Sequence, residues 1–266
     1  MTDGVVALSG AQVLALLGDE LDGTGPCQVA GTLPWTTLTA TNVVPGARFL
    51  MQAIEEGGGR LTEKGFLNRK LVEALLDRAP WQSYEPSELR GVCKVFNESD
   101  FPPAGYLHVL LRVAGLARRQ KGFLRLTRKG RQLLSEEMAG RLHAALFSVT
   151  FARYSLGYLD RHEGPDVFAP QIGLILYLIG RFCTDWRPAD ELMRSVTLPM
   201  SPATEIDPLK IRFSSSSPSA FSNRVLRYLC WFGLLEEAPR ARGDWKTPRS
   251  FRKTPLYDRT LVFRLP

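Results

Sequence analysis

The chain has 266 residues, of which 44% are hydrophobic and 23% charged, so it can bury one large core or two ordinary ones. This balance excludes a disordered chain, and the most apolar run, Ile172–Ile179, is too short to span a membrane. The formal net charge of +7 favours a polyanionic partner, usually nucleic acid, over an ordinary basic surface only weakly.

The cysteines and histidines are scattered along the chain without the close pairs that a structural zinc site needs. Cys27, Cys93, Cys183 and Cys230 are therefore expected to be buried thiols in a reducing compartment. The first residues lack the basic region of a signal peptide. We expect a cytoplasmic protein with no cofactor and no membrane partner.

Residues 1–43 form an N-terminal arm in which Gly, Pro and Thr are frequent. Ser9 is a typical cap for a short helix, and the rest is expected to be loop with one short strand at most. The arm is expected to pack on the domain that follows it.

Residues 44–138 are predicted to form a first domain of three helices and a basic hairpin. Its third helix carries Leu107, Leu110, Leu111 and Ala114 on one face and ends at Gly115. Two short alternating strands follow, from 116 to 120 and from 123 to 127, with Lys121-Gly122 as the turn. No acidic residue occurs between Ala104 and Leu134, although eight Lys and Arg residues do.

A long helix from Ser135 to Asp160 is expected to join two halves, so residues 139–165 are interpreted as a connecting helix and hinge. Residues 166–266 form a second domain on the same plan. Its third helix covers residues 219–232 and ends at Gly233, and the segments 234–236 and 260–265 are predicted to be its two wing strands.

This order of elements resembles the winged helix-turn-helix superfamily. The fold class is therefore predicted as α+β and mostly helical, with two winged helix-turn-helix domains joined by a long helix. The motif LT-x-x-G-x-L-x-R-x-x-V at Leu61–Val72, the basic hairpin that ends in LT-x-x-G at Gly130, and the segment Lys253–Arg259 are similar to uncharacterised bacterial proteins of plasmids and mobile elements. This resemblance implies a fold and leaves the activity open.

A winged helix usually places its third helix in the major groove and its wing on the backbone. The sequence therefore predicts a DNA-binding protein that holds duplex backbone through two basic wings, with limited base readout by the 219–232 helix. The predicted DNA-binding residues are Arg118, Arg119 and Lys121 in the first wing, Ser222, Asn223 and Arg227 on the helix, and Lys246, Arg249, Arg252 and Lys253 in the second wing.

Two other functions remain open from the sequence. The aliphatic third helix of the first domain also fits a protein-interaction adaptor in a larger bacterial assembly, because Tyr106, His108 and Arg112 are its few non-core positions. No motif of a known catalytic class is present, so the protein is expected not to be an enzyme. The acid–base cluster Asp160–Glu163 is interpreted as a solvated turn. Oligomeric state has no signal in the sequence.

Overall fold

A computed structural model describes residues 7–78, 81, 84–92, 94–160, 162, 164–198, 216–240, 244 and 247–266. The protein is α+β: it is mainly helical, and its strands form small antiparallel sheets. The chain divides into two compact units. We call Ala30–Tyr154 the central unit, and Met1–Val29 with Ser155–Pro266 the split unit. Each helix in the described residues lacks the length and apolar character that crossing a bilayer requires.

The elements are labelled in chain order. The described helices are α1 (Gly10–Leu17), α2 (Trp35–Leu38), α3 (Val43–Ala53), α4 (Arg69–Arg78), α5 (Pro86–Val92), α6 (Pro102–Val113), α7 (Arg128–Gln132), α8 (Ala139–Ala152), α9 (Ile172–Phe182), α10 (Ala189–Val196), α11 (three consecutive segments, Pro218–Phe221, Ser222–Leu226 and Arg227–Trp231) and α12 (Pro255–Thr260). The described strands are β1 (Cys27–Val29), β2 (Ala117–Gln120), β3 (Phe123–Leu126), β4 (Arg187–Pro188), β5 (Leu235–Glu237), β6 (Ser250–Lys253) and β7 (Leu261–Phe263).

The central unit packs α3, α4, α6 and α8 around one apolar core. The leucine stripe predicted for the second helix is buried, with Leu71 and Leu75 on α4 facing the core. After α3 a π-helical turn ends at glycines, and the chain then pairs briefly with the hairpin β2–β3. Arg60 pairs with Phe123, and the Leu61 N–H donates to the Gly122 carbonyl at 2.9 Å. The hairpin is thereby held to the helices that precede it.

The split unit contains two sheets. β4, β6 and β5 form an antiparallel sheet in that order, beside α9, α10 and α11. β1 pairs with β7 in a second, two-stranded sheet, with Cys27 opposite Phe263. The expectation that the N-terminal arm packs on the domain that follows it is therefore wrong for its first part. Leu16 of α1 is buried with Leu174 and Tyr177 of α9, which fixes this part of the arm in the split unit.

The segment predicted to be a second wing has different strands from the expected ones. Its first strand, β5, lies where it was expected, but its partner is β6 (Ser250–Lys253) and not the segment 260–265. The chain after β6 folds into α12, because Thr254 caps the helix by accepting from the Leu256 N–H and Pro255 occupies its first turn. The final segment then forms β7 and pairs with the arm.

The predicted long helix of residues 135–160 is also shorter than expected. α8 ends at Ala152, and a separate 3-10 turn covers Leu156–Leu159. Nine residues of α8 are buried, and the helix belongs to the central unit. The division of the chain falls between Tyr154 and Ser155, within the predicted connecting segment 139–165, but α8 packs in the core of the central unit and does not serve as a separate connecting helix.

Both units use one hydrogen-bonding arrangement where a helix leads into a strand, α6 into β2 in the central unit and α11 into β5 in the split unit. The helix ends at a glycine with positive φ, +68° at Gly115 and +73° at Gly233. A threonine after β3 or β6 donates its hydroxyl to the carbonyl of that glycine. The distance is 2.7 Å from Thr127 to Gly115 and 2.6 Å from Thr254 to Gly233. The same threonine then caps the next short helix in each unit. The two units thus share a local structure as well as an order of elements.

Three of the four cysteines are buried free thiols, as predicted, and Cys93 lies outside the described residues. Burial raises the pKa of the Cys183 thiol to about 12 and also raises those of Cys27 and Cys230, so these side chains stay protonated and unreactive.

His143 makes the stability of the protein depend on pH. It lies on α8 with no exposed surface, stacked on Phe147, and burial lowers its pKa from 6.5 to about 4. In the folded protein His143 stays neutral down to about pH 4, whereas in the unfolded chain it protonates near pH 6.5. Its contribution to the free energy of unfolding is therefore complete above pH 6.5 and is lost as the pH falls toward 4. Between pH 6.5 and 5 the free energy of unfolding should fall by about 2 kcal/mol from this group.

Urea unfolding at several pH values, with His143→Leu as the comparison, measures this contribution. The wild-type protein should lose more stability than the variant between these pH values. Equal losses in the two proteins would show that His143 does not couple folding to protonation.

Candidate nucleic-acid interface

The hairpin β2–β3 has the predicted two-residue turn. Lys121 and Gly122 both have positive φ, +48° and +77°, the conformation of the tight turns that match the twist of a hairpin. The register places Ala117 opposite Leu126 and Arg119 opposite Leu124. Leu124 and Leu126 are buried, so this face of the hairpin is turned to the core and the other face to solvent.

The solvent face of the hairpin concentrates positive charge. Arg118 lies directly opposite Arg125, and both side chains are exposed. Like charges that face each other across two strands destabilise the pair. Neither arginine makes an ion pair with a described residue, and the Arg125 guanidinium lies 4.9 Å from the centre of the Phe123 ring. An anion placed between these two guanidinium groups would therefore be attracted by both.

The remaining cations of this region lie around the hairpin. Arg119 and Lys121 are exposed and, within the described part of the chain, have no acidic partner. The Arg119 guanidinium lies against Gly65, 2.6 Å from the position that a Cβ would occupy there. Arg131 differs, since it is paired with Glu55 at 2.7 Å. The hairpin and its base thus present several cations that the described residues leave unneutralised.

The cations predicted for the second wing differ from those of the hairpin, because the described ones have carboxylate partners. Arg249 donates two hydrogen bonds to Glu237, and Arg252 is paired with Glu236 and lies 4.5 Å from the centre of the Trp186 ring. Lys253 donates to both carboxylate oxygens of Asp258 and to the Gly180 carbonyl. Lys246 lies outside the described residues. Three of the four cations predicted to hold DNA at this wing are therefore already neutralised by carboxylates.

The predicted base-reading residues of α11 are largely covered. Ser222 is buried, and Asn223 is half-buried with its side-chain amide 3.3 Å from His162 Nε2. The guanidinium of Arg227 lies over the rings of Tyr228 and Trp231. Ser222, predicted to lie off the apolar face of the helix, is thus buried, and the π-helical segment Ser222–Leu226 adds a residue to the turn, which shifts the phase of the residues that follow it.

The corresponding helix of the central unit, α6, also exposes few polar side chains. Tyr106 and His108 of α6, expected at non-core positions, are both buried, and only Arg112 of the three is exposed. The Tyr106 hydroxyl lies 2.7 Å from the Thr150 hydroxyl, and His108 Nδ1 lies 3.0 Å from Glu98 Oε2. Neither third helix therefore offers a continuous polar face to the edges of bases.

The cluster Asp160–Glu163 is not a solvated turn at its first residue. The Asp160 side chain is 1% exposed and forms an ion pair with Arg224, whose own side chain is 3% exposed. Arg224 also donates to the carbonyls of His162 and Pro165, so it fastens the segment before α9 to α11. Arg161 and Glu163 lie outside the described residues. The Asp160 carboxylate is therefore held in a buried ion pair and does not face solvent.

Sequence reasoning left Arg125 out of the predicted site. The signal was present, because a two-residue turn at Lys121-Gly122 fixes the register and sets residue 118 opposite residue 125.

Comparison with known proteins finds a recognised domain in the part of the chain that contains the hairpin β2–β3. Residues 39–139 match the model of the Y4jL N-terminal domain. The uncharacterised protein y4jL of Sinorhizobium fredii is 36% identical over 84 residues, which are 32% of this chain. The chain spans 38% of the length of this relative. No solved structure matches the chain. The predicted similarity to an uncharacterised bacterial family is confirmed in this coarse form, and it assigns no activity.

Proposed function

We propose that the protein binds duplex DNA and that each unit is a winged helix-turn-helix domain. The split unit has the order helix, short strand, helix, third helix and two-stranded wing, and the short strand pairs with the second wing strand. The central unit has the same order with an additional helix, α5, before its third helix, and an isolated bridge from Arg60 to Phe123 in place of the short strand. In the split unit this gives the strand order β4-β6-β5, and in the central unit Arg60 takes the place of β4. The shared Thr–Gly hydrogen bond supports the same assignment.

The opposed pair of Arg118 and Arg125 carries the proposal. Two unneutralised guanidinium groups on adjacent strands, in a stretch of the chain without acidic residues, form a receptor for phosphate oxygens. Binding would release counterions from the DNA, so affinity should depend on the charge of this hairpin and fall with salt. The backbone contact predicted for two wings is thus assigned mainly to the first one, and limited base readout follows from the burial of α6 and α11.

A pair of double variants that remove equal charge tests this assignment. Arg118→Gln/Arg125→Gln removes the opposed pair, and Arg194→Gln/Arg252→Gln removes two exposed guanidinium groups that are already paired with carboxylates. Fluorescence anisotropy with a short random-sequence duplex should show an affinity loss on the order of tenfold or more for the first variant. The second variant should stay within about threefold of the wild type.

Equal losses in the two variants would indicate a general effect of net charge and would contradict a phosphate site on the hairpin. Unchanged affinity in the first variant would contradict it as well.

The alternative is a protein-interaction adaptor. The specific observation in its favour is that the two third helices, which read DNA in many winged helices, are buried along most of their length. Absence of salt-sensitive DNA binding, together with stable co-purification of a partner, would favour the adaptor.

A further inference from the structure

A pocket of about 700 Å³ opens in the central unit beside the hairpin. It lies between the turn Thr62–Phe66 and the short 3-10 turn Glu98–Asp100, and apolar atoms form most of its surface. Its size is within the range of small-ligand sites. The residues on its wall that the argument uses are Lys64, Phe66, Leu67, Arg69 and Glu98.

Phe66 gives the pocket an exposed aromatic wall. The side chain is 49% exposed, although an aromatic ring of this size usually buries most of its surface. The turn that carries it is fixed by its own hydrogen bonds, since Thr62 accepts from the Gly65 N–H through its carbonyl and from the Phe66 N–H through its hydroxyl. A rigid turn with a half-exposed ring provides a platform on which a flat aromatic group can stack.

The charges of the pocket are ordered from its wall to its rim. Glu98 is buried and accepts from the Leu67 N–H and from His108 Nδ1, so the wall carries a fixed carboxylate. Lys64 and Arg69 are exposed on the rim, together with Glu63, and Arg119 lies at the neighbouring Gly65. A carboxylate repels phosphate and accepts from amino groups, whereas the rim cations attract phosphate. The pocket is suited to a neutral group that bears an N–H donor and is linked to a phosphate outside.

The pocket lies next to the proposed DNA-binding hairpin, because the turn Thr62–Phe66 contacts both. The turn that forms its wall is joined to the hairpin by the hydrogen bond from Leu61 to Gly122, and Arg119 of β2 lies against the same turn. Arg119 lies on the face of the hairpin opposite to Arg118 and Arg125, so a nucleic-acid strand held by that pair would reach the rim of the pocket where it turns around the edge of the hairpin toward Arg119.

We propose that this pocket takes one unpaired nucleobase of the bound nucleic acid. The base stacks on Phe66 and donates its exocyclic amino group to Glu98, and its phosphate lies between Lys64 and Arg69. The inference rests on the proposed function of the hairpin and adds a preference for a nucleic acid with an extruded or unpaired base, above all one that bears an amino group such as cytosine. Unstacking such a base costs least where it has no partner.

The test compares three labelled duplexes that are identical except at their centre: fully paired, with one unpaired dC, and with one unpaired dT. Anisotropy should show about tenfold tighter binding of the dC duplex than of the paired one, with dT between them. Phe66→Ala should abolish this gain and leave the affinity for the paired duplex within about twofold, because the ring is half-exposed and does not belong to the hairpin. Phe66→Trp should retain the gain, as should the control Tyr158→Ala, which removes another exposed aromatic ring.

Each other outcome has a distinct meaning. Equal binding of the paired and bulged duplexes by the wild-type protein would overturn the base pocket and leave the hairpin as a DNA-binding site. A bulge preference that survives Phe66→Ala would also overturn it, and equal affinity for dC and dT would overturn the role of Glu98. Absence of binding to all three duplexes would overturn the proposed function itself, and this inference with it.

Discussion

Arg224→Met should destabilise the split unit by about 3–5 kcal/mol, because it leaves the buried carboxylate of Asp160 without its partner. Arg224 Nε and Nη2 lie 2.7 and 3.3 Å from the two oxygens of Asp160, and the same guanidinium bonds two backbone carbonyls of the segment before α9. Removing the guanidinium therefore leaves these buried acceptors without a charged donor, and the His162 N–H remains as a neutral donor to Asp160. Urea denaturation followed by circular dichroism measures the change in the free energy of unfolding.

The matched control is Arg194→Met. Its ion pair with Asp190 spans one helical turn on the surface, with the arginine side chain 64% exposed, so its loss should cost less than about 0.5 kcal/mol. If Arg224→Met were as mild as this control, the buried ion pair would not hold the segment 155–165 to α11.

Gly130→Ala should destabilise the central unit by about 3 kcal/mol, the upper range for a group inserted into a filled space. A Cβ at this position of α7 would overlap the Leu116 carbonyl oxygen, which belongs to backbone and has no room to move aside. The Leu116 carbonyl is held in place because it accepts from the Thr127 N–H at 2.9 Å. The glycine of the second LT-x-x-G motif is thus required for the contact between α7 and the end of α6.

Gly91→Ala is the control for this substitution. Gly91 lies in α5, with no atom within 4 Å of the position that a Cβ would take. Alanine has the higher helix propensity, so this change should be neutral or stabilise by up to about 1 kcal/mol. Thermal unfolding of the two variants separates the effects of packing and propensity. A mild effect of Gly130→Ala would mean that α7 can shift away from the hairpin.

The parts of this fold that were predicted have local signals. The hairpin β2–β3 was predicted because its residues alternate and a glycine stands at the turn. The ends of α6 and α11 were predicted because Gly115 and Gly233 adopt a conformation that other residues rarely take. Such features depend on a few neighbouring residues, and a single sequence displays them.

The parts that were not predicted depend on distant residues. The pairing of Cys27 with Phe263 joins the ends of the chain, and neither short strand has a pattern that names its partner. The neutralised second wing has the same origin. With 260–265 as the predicted second wing strand, the sequence does not place Glu236 and Glu237 opposite Arg252 and Arg249, which they bind in the structure. The net charge of the sequence includes Arg249 and Arg252 as cations, but the register of β5 and β6 pairs both with carboxylates.

The candidate site could be predicted only where local sequence patterns determine it. Arg118, Arg119 and Lys121 lie on the hairpin, where alternation placed them, and they are exposed. The prediction for the residues of α11 assumes the regular spacing of an α-helix, and the π-helical segment Ser222–Leu226 departs from this spacing. The pocket beside Phe66 joins two segments about thirty residues apart and has no motif of its own.

The most direct measurement of the central claim is the salt dependence of binding to a fully paired random duplex. For the wild-type protein, the logarithm of the affinity should fall steeply and linearly with the logarithm of the salt concentration. In Arg118→Gln/Arg125→Gln the slope should be smaller by about 2, because each lost phosphate contact removes about 0.9. A flat dependence in the wild-type protein, or the same slope in both proteins, would contradict a phosphate-binding hairpin.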